Sequence, residues 1–532
     1  MRLPPIPFLA AALFWGLTLS VHSDTLQPLV ALPNPDQPPS ETVLLPVSQE
    51  RVLKAVGTLD ELAQNMLEKS GIPGLAISVV YKGEKIYAEG FGKRAAGSEK
   101  KVDPDTVFLL ASLSKPVGAT VVATQVETGR IGWDSPVREF LPWFDMGTPC
   151  VSDQVTVGDL YSHKSGLPDH AGDDLEDLGY DRRTILERLA LLPKHSFRTH
   201  YAYTNFGLTA AAEAVAVSAV TDWASLADQT IYSPLGMTST SSRHADYMAQ
   251  ENRAASHMKT DRGYIVTDLR QPDAQSPAGG VSSSANDMAL WMQMVLNEGM
   301  VGDNKVLEKA ALLPAVSPQT IIGGPRSMNA RTSTYGYGFG VDVRPTGRVK
   351  LSHSGAFTLG ASTTLALVPD LDLGIIVLSN AAPSGLPEAI AASFLDRVEL
   401  GMDSRDWLSG YSKIMAQLTA PVGSLVNLEK PKDPEPPRAT NAYLGHYENA
   451  YFGSAYVEVE EGDLVLRLGP KNQELKMKHW NGDVFSVQPF SENQPAGSKS
   501  QVRFTWDANS GEARMVIEHL NSVGLGAFER TL

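Results

Sequence analysis

Thr106-Val107-Phe108-Leu109-Leu110-Ala111-Ser112-Leu113-Ser114-Lys115-Pro116 opens an apolar run that continues through Ala119, Val121, Val122, Ala123 and Val126 and stops at Gly129. Apolar residues line most of a helical circumference here, so the pattern predicts a central, buried helix. A hydroxyl and an amine three residues apart, Ser112 and Lys115, share one face of such a helix. Burial lowers the pKa of a lysine. An amine lowered in this way can hold or take the proton of Ser112, giving a serine nucleophile with no histidine beside it. Pro116 falls within about the first turn, where its missing N–H costs least.

Outward from this run the chain alternates in character. Upstream, the spacing of Val52, Val56, Leu59, Leu62 and Met66 predicts one helix over 52–69. Two strands follow at 75–80 and 85–90, joined by a tight turn at Tyr81-Lys82-Gly83-Glu84. Residues 130 to about 330 read as mostly helical with long loops, with helices at 155–160, 184–192, 208–218 and 287–298. Strands return at 337–341, 349–351, 365–368 and 374–378, and a helix at 387–398. A proline-rich linker occupies 430–440. Beyond it, short alternating runs such as Tyr456-Val457-Glu458-Val459 are separated by turn signals such as Asn481-Gly482-Asp483, which predicts a small antiparallel barrel or sandwich.

A chain of 532 residues exceeds one ordinary core, so two or more domains are expected. Its net charge of −15 argues against nucleic acid and anionic membrane as partners. Arg2 followed by the apolar stretch 6–21 and the small residues near Ser23 reads as a secretory signal peptide. The expected location is therefore periplasmic or secreted, with no stable membrane insertion after cleavage. Cys150 is the only cysteine, which excludes an intramolecular disulfide and cysteine-based zinc sites and suggests a small buried residue. His163, His195, His200 and His257 lack metal-ligand spacing and read as structural or surface residues; no metal and no cofactor are expected.

Single motifs have bland twins in this chain. Ser98 with Lys101 repeats the spacing of Ser112 with Lys115, but in a charged loop where the lysine stays solvated. Tyr447-Glu448-Asn449 repeats Tyr203-Thr204-Asn205, but in the β-rich tail. His170-Ala171-Gly172 repeats His353-Ser354-Gly355, but in a polar loop rather than at a strand.

Taken in order, Ser112–Lys115, Tyr203–Asn205 and His353–Gly355 resemble the serine β-lactamase and penicillin-binding-protein superfamily, in its class C-like branch of esterases, D-aminopeptidases and amide hydrolases. The likeness runs from about Gly71 to Asn380 and includes the stretch 156–168, Ser233-Pro234-Leu235-Gly236-Met237, and Gly279-Gly280 followed by Asp287. Residues 441–532 resemble the lipocalin-like β-domain appended to some peptidases of this family, where it can shape substrate access and oligomer contacts. The resemblance implies an α+β fold: an antiparallel sheet flanked by helices, with a mostly helical insertion, followed by a small all-β barrel. The domains expected are a signal peptide at 1–23, a flexible arm at 24–48, the hydrolase domain at 49–429, the linker at 430–440 and the barrel at 441–532.

The resemblance also implies the chemistry. Ser112 forms an acyl-enzyme, and Lys115 and Tyr203 share the general-base work, with the resting base left open. Tyr203 protonates the leaving group. The oxyanion hole is the backbone N–H groups of Ser112 and Ala356, beside Ser354 and Gly355. Asn205 holds a substrate amide or orients Lys115. His353 stands where many β-lactamases and D,D-peptidases have lysine, and can shuttle protons or simply hydrogen-bond. The leading expectation is an exported hydrolase of amide bonds in short or linear peptides. A carboxylesterase, a D,D-peptidase or β-lactamase, and a non-catalytic penicillin- or peptide-binding protein are the alternatives. The partners expected are a small peptide or ester substrate, no nucleic acid, and copies of the same chain if it forms a homo-oligomer.

Overall fold

The structure is a computed structural model that describes residues 36–507 and 511–531. The expected signal peptide, 1–23, lies outside the described residues, as does most of the arm at 24–48. Residues 36–46 belong to a separate unit and hold one 3-10 turn, Pro39–Glu41. All that follows concerns the unit from Val47 onward.

Two helices, α1 (Gln49–Val56) and α2 (Leu59–Ser70), stand where one was expected. The break falls at Gly57-Thr58. Glycine is a weak helix former, and the Thr58 hydroxyl donates to Ala55 O at 2.7 Å, competing with the helical ladder. The hairpin of β1 (Gly74–Tyr81) and β2 (Glu84–Gly92) follows. Its two-residue turn needs positive φ at both positions, met by Lys82 at 51° and Gly83 at 73°.

The next elements are α3 (Ser114–Glu127), α4 (Asp173–Leu178), α5 (Asn205–Ser218) and α6 (Ala285–Leu296). The expected helix around Ser112 is corrected in one respect. Ala111–Leu113 forms a 3-10 turn and α3 begins at Ser114, because Ala111 has a left-handed φ of 49° that no α-helix accommodates. Every residue of α3 from Ser114 to Gln125 is buried.

Strands β3 (Thr320–Gly323), β4 (Ser333–Tyr335), β5 (Gly340–Val343), β6 (Val349–Phe357), β7 (Ala361–Val368) and β8 (Leu373–Ser379) then complete an eight-stranded antiparallel sheet of order β2-β1-β8-β7-β6-β5-β4-β3. Its middle is buried on both faces. Ile77, Val79, Ile375 and Val377 pack with α1, α2 and α7 (Leu386–Leu400). Ala76, Val80, Ile376 and Leu378 face the opposite core, which contains α3, α5 and α6. Covering both faces explains why these strands read as unbroken apolar runs.

Strands β9 (Gly445–Asn449), β10 (Gly453–Glu460), β11 (Asp463–Leu468), β12 (Gln473–Asn481), β13 (Val484–Val487), β14 (Ser500–Trp506), β15 (Ala513–Ile517) and β16 (Ala527–Thr531) close an antiparallel barrel. Alternate residues, among them Tyr447, Val457, Leu466, Phe504 and Met515, fill its interior. The barrel rests on the α+β region that precedes it. Tyr180 Oη donates to Phe452 O at 2.7 Å, Arg188 Nη1 to Tyr451 O at 2.8 Å, and Lys471 N to Leu178 O at 3.1 Å.

Cys150 is exposed rather than buried. It lies on the short helix Pro149–Gln154, which buries Ser152 instead. No helix among the described residues is long and apolar enough to cross a membrane.

Phe394, fully buried on α7, anchors that helix to the sheet. Phe394→Ala is expected to lower the unfolding free energy by about 3–5 kcal/mol, measured as a fall in the urea midpoint.

Candidate active site

Ser112 ends up between a helix start and a strand. Ser112 follows the left-handed Ala111, and α3 carries Lys115 one turn further on. Beside it runs the far half of β6. Strand β5 pairs with β6 only as far as Ser352, so residues 353–357 have lost that neighbour. Gly355 is required there. A Cβ on it would lie 2.3 Å from Leu110 O, 2.4 Å from Thr363 Oγ1 and 3.0 Å from Ser112 N. Only a bare backbone can bring this strand so close to the Ser112 amide.

Two side chains converge on Ser112 Oγ. Tyr203 Oη donates to it at 2.7 Å and Lys115 Nζ lies at 3.2 Å. Lys115 Nζ also donates to Asn205 Oδ1 at 2.7 Å and to Ala278 O at 2.9 Å. Asn205 begins α5, and its amide orientation is not free. Its Nδ2 donates at 2.9 Å to Asp173 Oδ2, a carboxylate that can only accept. Asp173, the first residue of α4, also takes a bond of 2.8 Å from His170 Nδ1.

This geometry fixes what Lys115 can do. Burial pushes its amine down to about 7, with the Asp173 carboxylate acting in the opposite direction. A neutral amine has two N–H donors and one lone pair. Asn205 Oδ1 and Ala278 O are pure acceptors and claim both donors, so the lone pair of the neutral form faces Ser112 Oγ. Burial raises the Tyr203 phenol well above its ordinary value, so it stands as a neutral donor.

His353 is neutral. Burial and then the charge of Lys115 hold its imidazole down to about 3. Nδ1 lies 2.7 Å from Ser354 O, an acceptor, so Nδ1 carries the proton. Nε2 is then left to accept from Tyr335 Oη at 2.8 Å. Both nitrogens are thus committed, and of the two roles the residue type allows, the geometry offers the hydrogen-bonding one. Ser354 Oγ meets Thr364 Oγ1 at 3.1 Å.

Ser112, Tyr203, Asn205, His353, Ser354 and Ala356 all line one cleft of about 570 Å³. Lys115 lies buried behind its floor. The structure therefore brings together every residue singled out from the sequence for this site. It also adds residues that sequence reasoning missed. Asp173 was hidden in an acidic run, Asp173-Asp174-Leu175-Glu176-Asp177, of the kind that usually faces solvent. Ala278 acts through its carbonyl, which no side chain advertises. His163 is buried, accepts from Thr204 N at 3.2 Å, and lies against Tyr203 with ring centres 4.6 Å apart. His170, set aside as a decoy, lines the cleft rim. Tyr447 of the second Tyr-x-Asn copy is a barrel core residue whose hydroxyl donates to Tyr443 O. Among the described residues, no group of three or more His, Cys, Asp or Glu could hold a metal.

The family described as Beta-lactamase matches residues 59–398. The chain belongs to the β-lactamase family. A second match, to the domain of unknown function DUF3471, covers residues 429–522. Among curated relatives of this β-lactamase-family chain, Unguisins hydrolase ungD of Aspergillus violaceofuscus is 25% identical over 467 residues, 78% of this chain and 80% of that protein. The D-alanyl-D-alanine-carboxypeptidase/endopeptidase AmpH of Escherichia coli K12 is 21% identical over 332 residues, 61% of this chain and 84% of that protein. Among solved structures, the octameric penicillin-binding protein homologue from Pyrococcus abyssi aligns with a TM-score of 0.55 and 20% identity, covering 89% of this chain and all of its own. The class C beta lactamase from Rhodobacter sphaeroides aligns at 0.52 and 22%, covering 64% of this chain and 98% of its own. The fold is thus the β-lactamase-like α+β fold with a closed barrel added.

The rate at which a fluorophosphonate labels Ser112 is expected to rise as pH passes through about 7, where Lys115 gives up its proton. Asp173→Asn removes the carboxylate that favours the ammonium form, so it should move this rise to lower pH. A pH series of labelling rates for the two proteins checks both.

Proposed function

We propose that the protein is an exported serine hydrolase of the Ser-x-x-Lys type that cleaves amide bonds of short or linear peptides through an acyl-enzyme on Ser112. The observation that carries this reading is the convergence of Tyr203 Oη at 2.7 Å and Lys115 Nζ at 3.2 Å on one hydroxyl. Ser112 Oγ attacks the carbonyl carbon and its proton passes to the lone pair of Lys115. The oxyanion forms beside the backbone N–H groups of Ser112 and Ala356. Tyr203 gives its proton to the leaving nitrogen as the C–N bond breaks. Lys115 has then taken one proton and Tyr203 has given one, and the Lys115 ammonium, 4.5 Å from the Tyr203 ring centre, returns its proton to the phenolate, so the acyl-enzyme again faces a neutral amine and a neutral phenol. Water then repeats the sequence and releases the acid.

Peptide amides are favoured over esters because an amine leaves only when protonated, and a buried neutral phenol against Oγ is placed to protonate it. The names of two relatives, a hydrolase of unguisins and a D-alanyl-D-alanine-carboxypeptidase/endopeptidase, are in keeping with this. Export rests on the apolar stretch 6–21 behind Arg2.

The test gives the mature protein one acyl group as a peptide amide and as an ester. Wild type should cleave both at comparable rates, and Ser112→Ala should lose at least about a thousandfold on each. Tyr203→Phe should lose more on the amide than on the ester. Cleavage of the ester alone would make the protein a carboxylesterase, and turnover that survives Ser112→Ala would remove the acyl-enzyme.

A further inference from the structure

Three consecutive residues of the barrel, Ser491-Glu492-Asn493, touch both walls of the Ser112 cleft. They lie on the connection 488–499 between β13 and β14. On one wall, the Glu492 carboxylate accepts from Thr358 N at 2.6 Å and Leu359 N at 3.2 Å, and Thr358 Oγ1 donates to Glu492 O at 2.5 Å. Thr358 follows directly on β6, the strand that carries Gly355 and Ala356. On the other wall, Asp177 Oδ2 accepts from Ser491 Oγ at 2.5 Å, Asn493 Nδ2 at 2.9 Å and Asn493 N at 3.2 Å. Arg270 spans the space between the walls. It donates to Glu176 Oε2 at 2.8 Å, lies 3.9 Å from Glu492 Oε2, and stacks on the Phe357 ring at 4.5 Å.

Asp177 and Asp173 lie one turn apart on α4. A six-residue helix is too short to bend between them, so whatever holds Asp177 holds Asp173. Asp173 in turn orients Asn205, and Asn205 orients the amine of Lys115. The barrel already rests on the hydrolase region through Tyr180, Arg188 and Lys471. Burying the carboxylates of Glu492 and Asp177 as well is costly unless the pairing is close, and adhesion alone does not call for it.

We propose that the Ser491-Glu492-Asn493 turn is a positioning element of the active site, through which the barrel sets the place of Asp173 and of the strand end beside Ser112. This gives the domain of unknown function a role in the reaction, and it rests on the acyl-enzyme reading. Glu492, Ser491 and Asn493 are positioning residues, since none of them touches Ser112. The titratable groups that face Lys115 are Asp173, His163, His170, His353 and Tyr203. Of these, Asp173 rides on the helix that the barrel grips.

The experiment uses the full mature chain and measures fluorophosphonate labelling of Ser112 against pH, with thermal melting to show that each variant is folded. The double variant Ser491→Ala/Asn493→Ala releases α4. It should label about tenfold more slowly above pH 8, and the rise in its rate should move to lower pH as Asp173 withdraws from Lys115. Glu492→Gln keeps the shape of the turn but weakens its hold on Thr358 and Leu359. It should slow labelling while leaving the position of the rise unchanged. Val459→Ala, at an exposed position of β10, is the control and should match wild type. The proposal is overturned if both variants label at the wild-type rate with an unmoved profile, or if Val459→Ala slows labelling as much as they do. If the double variant does not fold, Glu492→Gln decides alone. Absence of Ser112 labelling in wild type would instead remove the hydrolase reading itself.

Discussion

The amine of Lys115 is fully buried, and the rest of the site follows from that. A fall from 10.5 to about 7 corresponds to about 5 kcal/mol set against the ammonium form. Such a group is tolerated only where its hydrogen bonds are complete, and here Asn205, Ala278 and Ser112 complete them. The penalty also has a sign in pH. Between about 7 and 10.5 the unfolded chain keeps a proton that the folded chain has lost, so this residue alone makes the fold more stable as pH rises through that window. Below about 7 the folded protein bears the full cost of a buried ammonium, partly offset by Asp173. The same burial that weakens the fold makes the lysine a usable base near neutrality.

The fold buries the amine by placing α3 against a sheet that is itself covered on both faces. Lys115 leaves the second position of a helix whose neighbours are all buried, and β6 closes over the first turn through Gly355. The left-handed Ala111 turns the chain so that Ser112 stands at the mouth of the cleft while Lys115 stays beneath it. A regular helix through both residues would still align them on one face, but it would not place the Ser112 amide 3.0 Å from the site of a Gly355 Cβ. The strain in one alanine and the missing side chain of one glycine serve the same juxtaposition.

The elements most legible in the sequence were those with a strong period or a turn signal: α3, the β1–β2 hairpin, the helices at 205–218 and 285–296, and the barrel. Ser112, Lys115, Tyr203, Asn205 and His353 were legible because each lay in a local context that its decoy lacked. Breaks smaller than a period were not visible. Gly57-Thr58 divides a helix whose apolar spacing runs on unchanged, and the 3-10 turn at Ser112 keeps a helical pattern. The missed partners share a different cause. Nothing in the sequence sets Asp173 and Glu492 apart from surface acids, because their burial depends on docking between segments far apart in sequence, and Ala278 contributes only backbone. His163 looked isolated because Tyr203 and Tyr335, which enclose it, lie in other segments. Cys150 shows the opposite error, since a residue type that prefers burial stands on the exposed side of a short helix that buries Ser152 instead.

Charge also narrows what the cleft can grip. Among its described lining residues the cations are Arg270 and His170. Arg270 is held by Glu176 and faced by Glu492, and His170 is bound to Asp173, whose hydrogen bond is the first cause that raises its imidazole to about 9. Where a lysine on β6 would present a free ammonium to a substrate carboxylate, His353 presents a neutral ring with both nitrogens engaged. A substrate that carries a carboxylate close to the scissile bond therefore meets no uncommitted positive charge on the β6 side, and it faces Asp173 and Glu176 across the cleft. A linear amide with no charge near its carbonyl meets no such opposition. That charge inventory is in keeping with the peptide amide proposed as the substrate and with the role proposed for Tyr203.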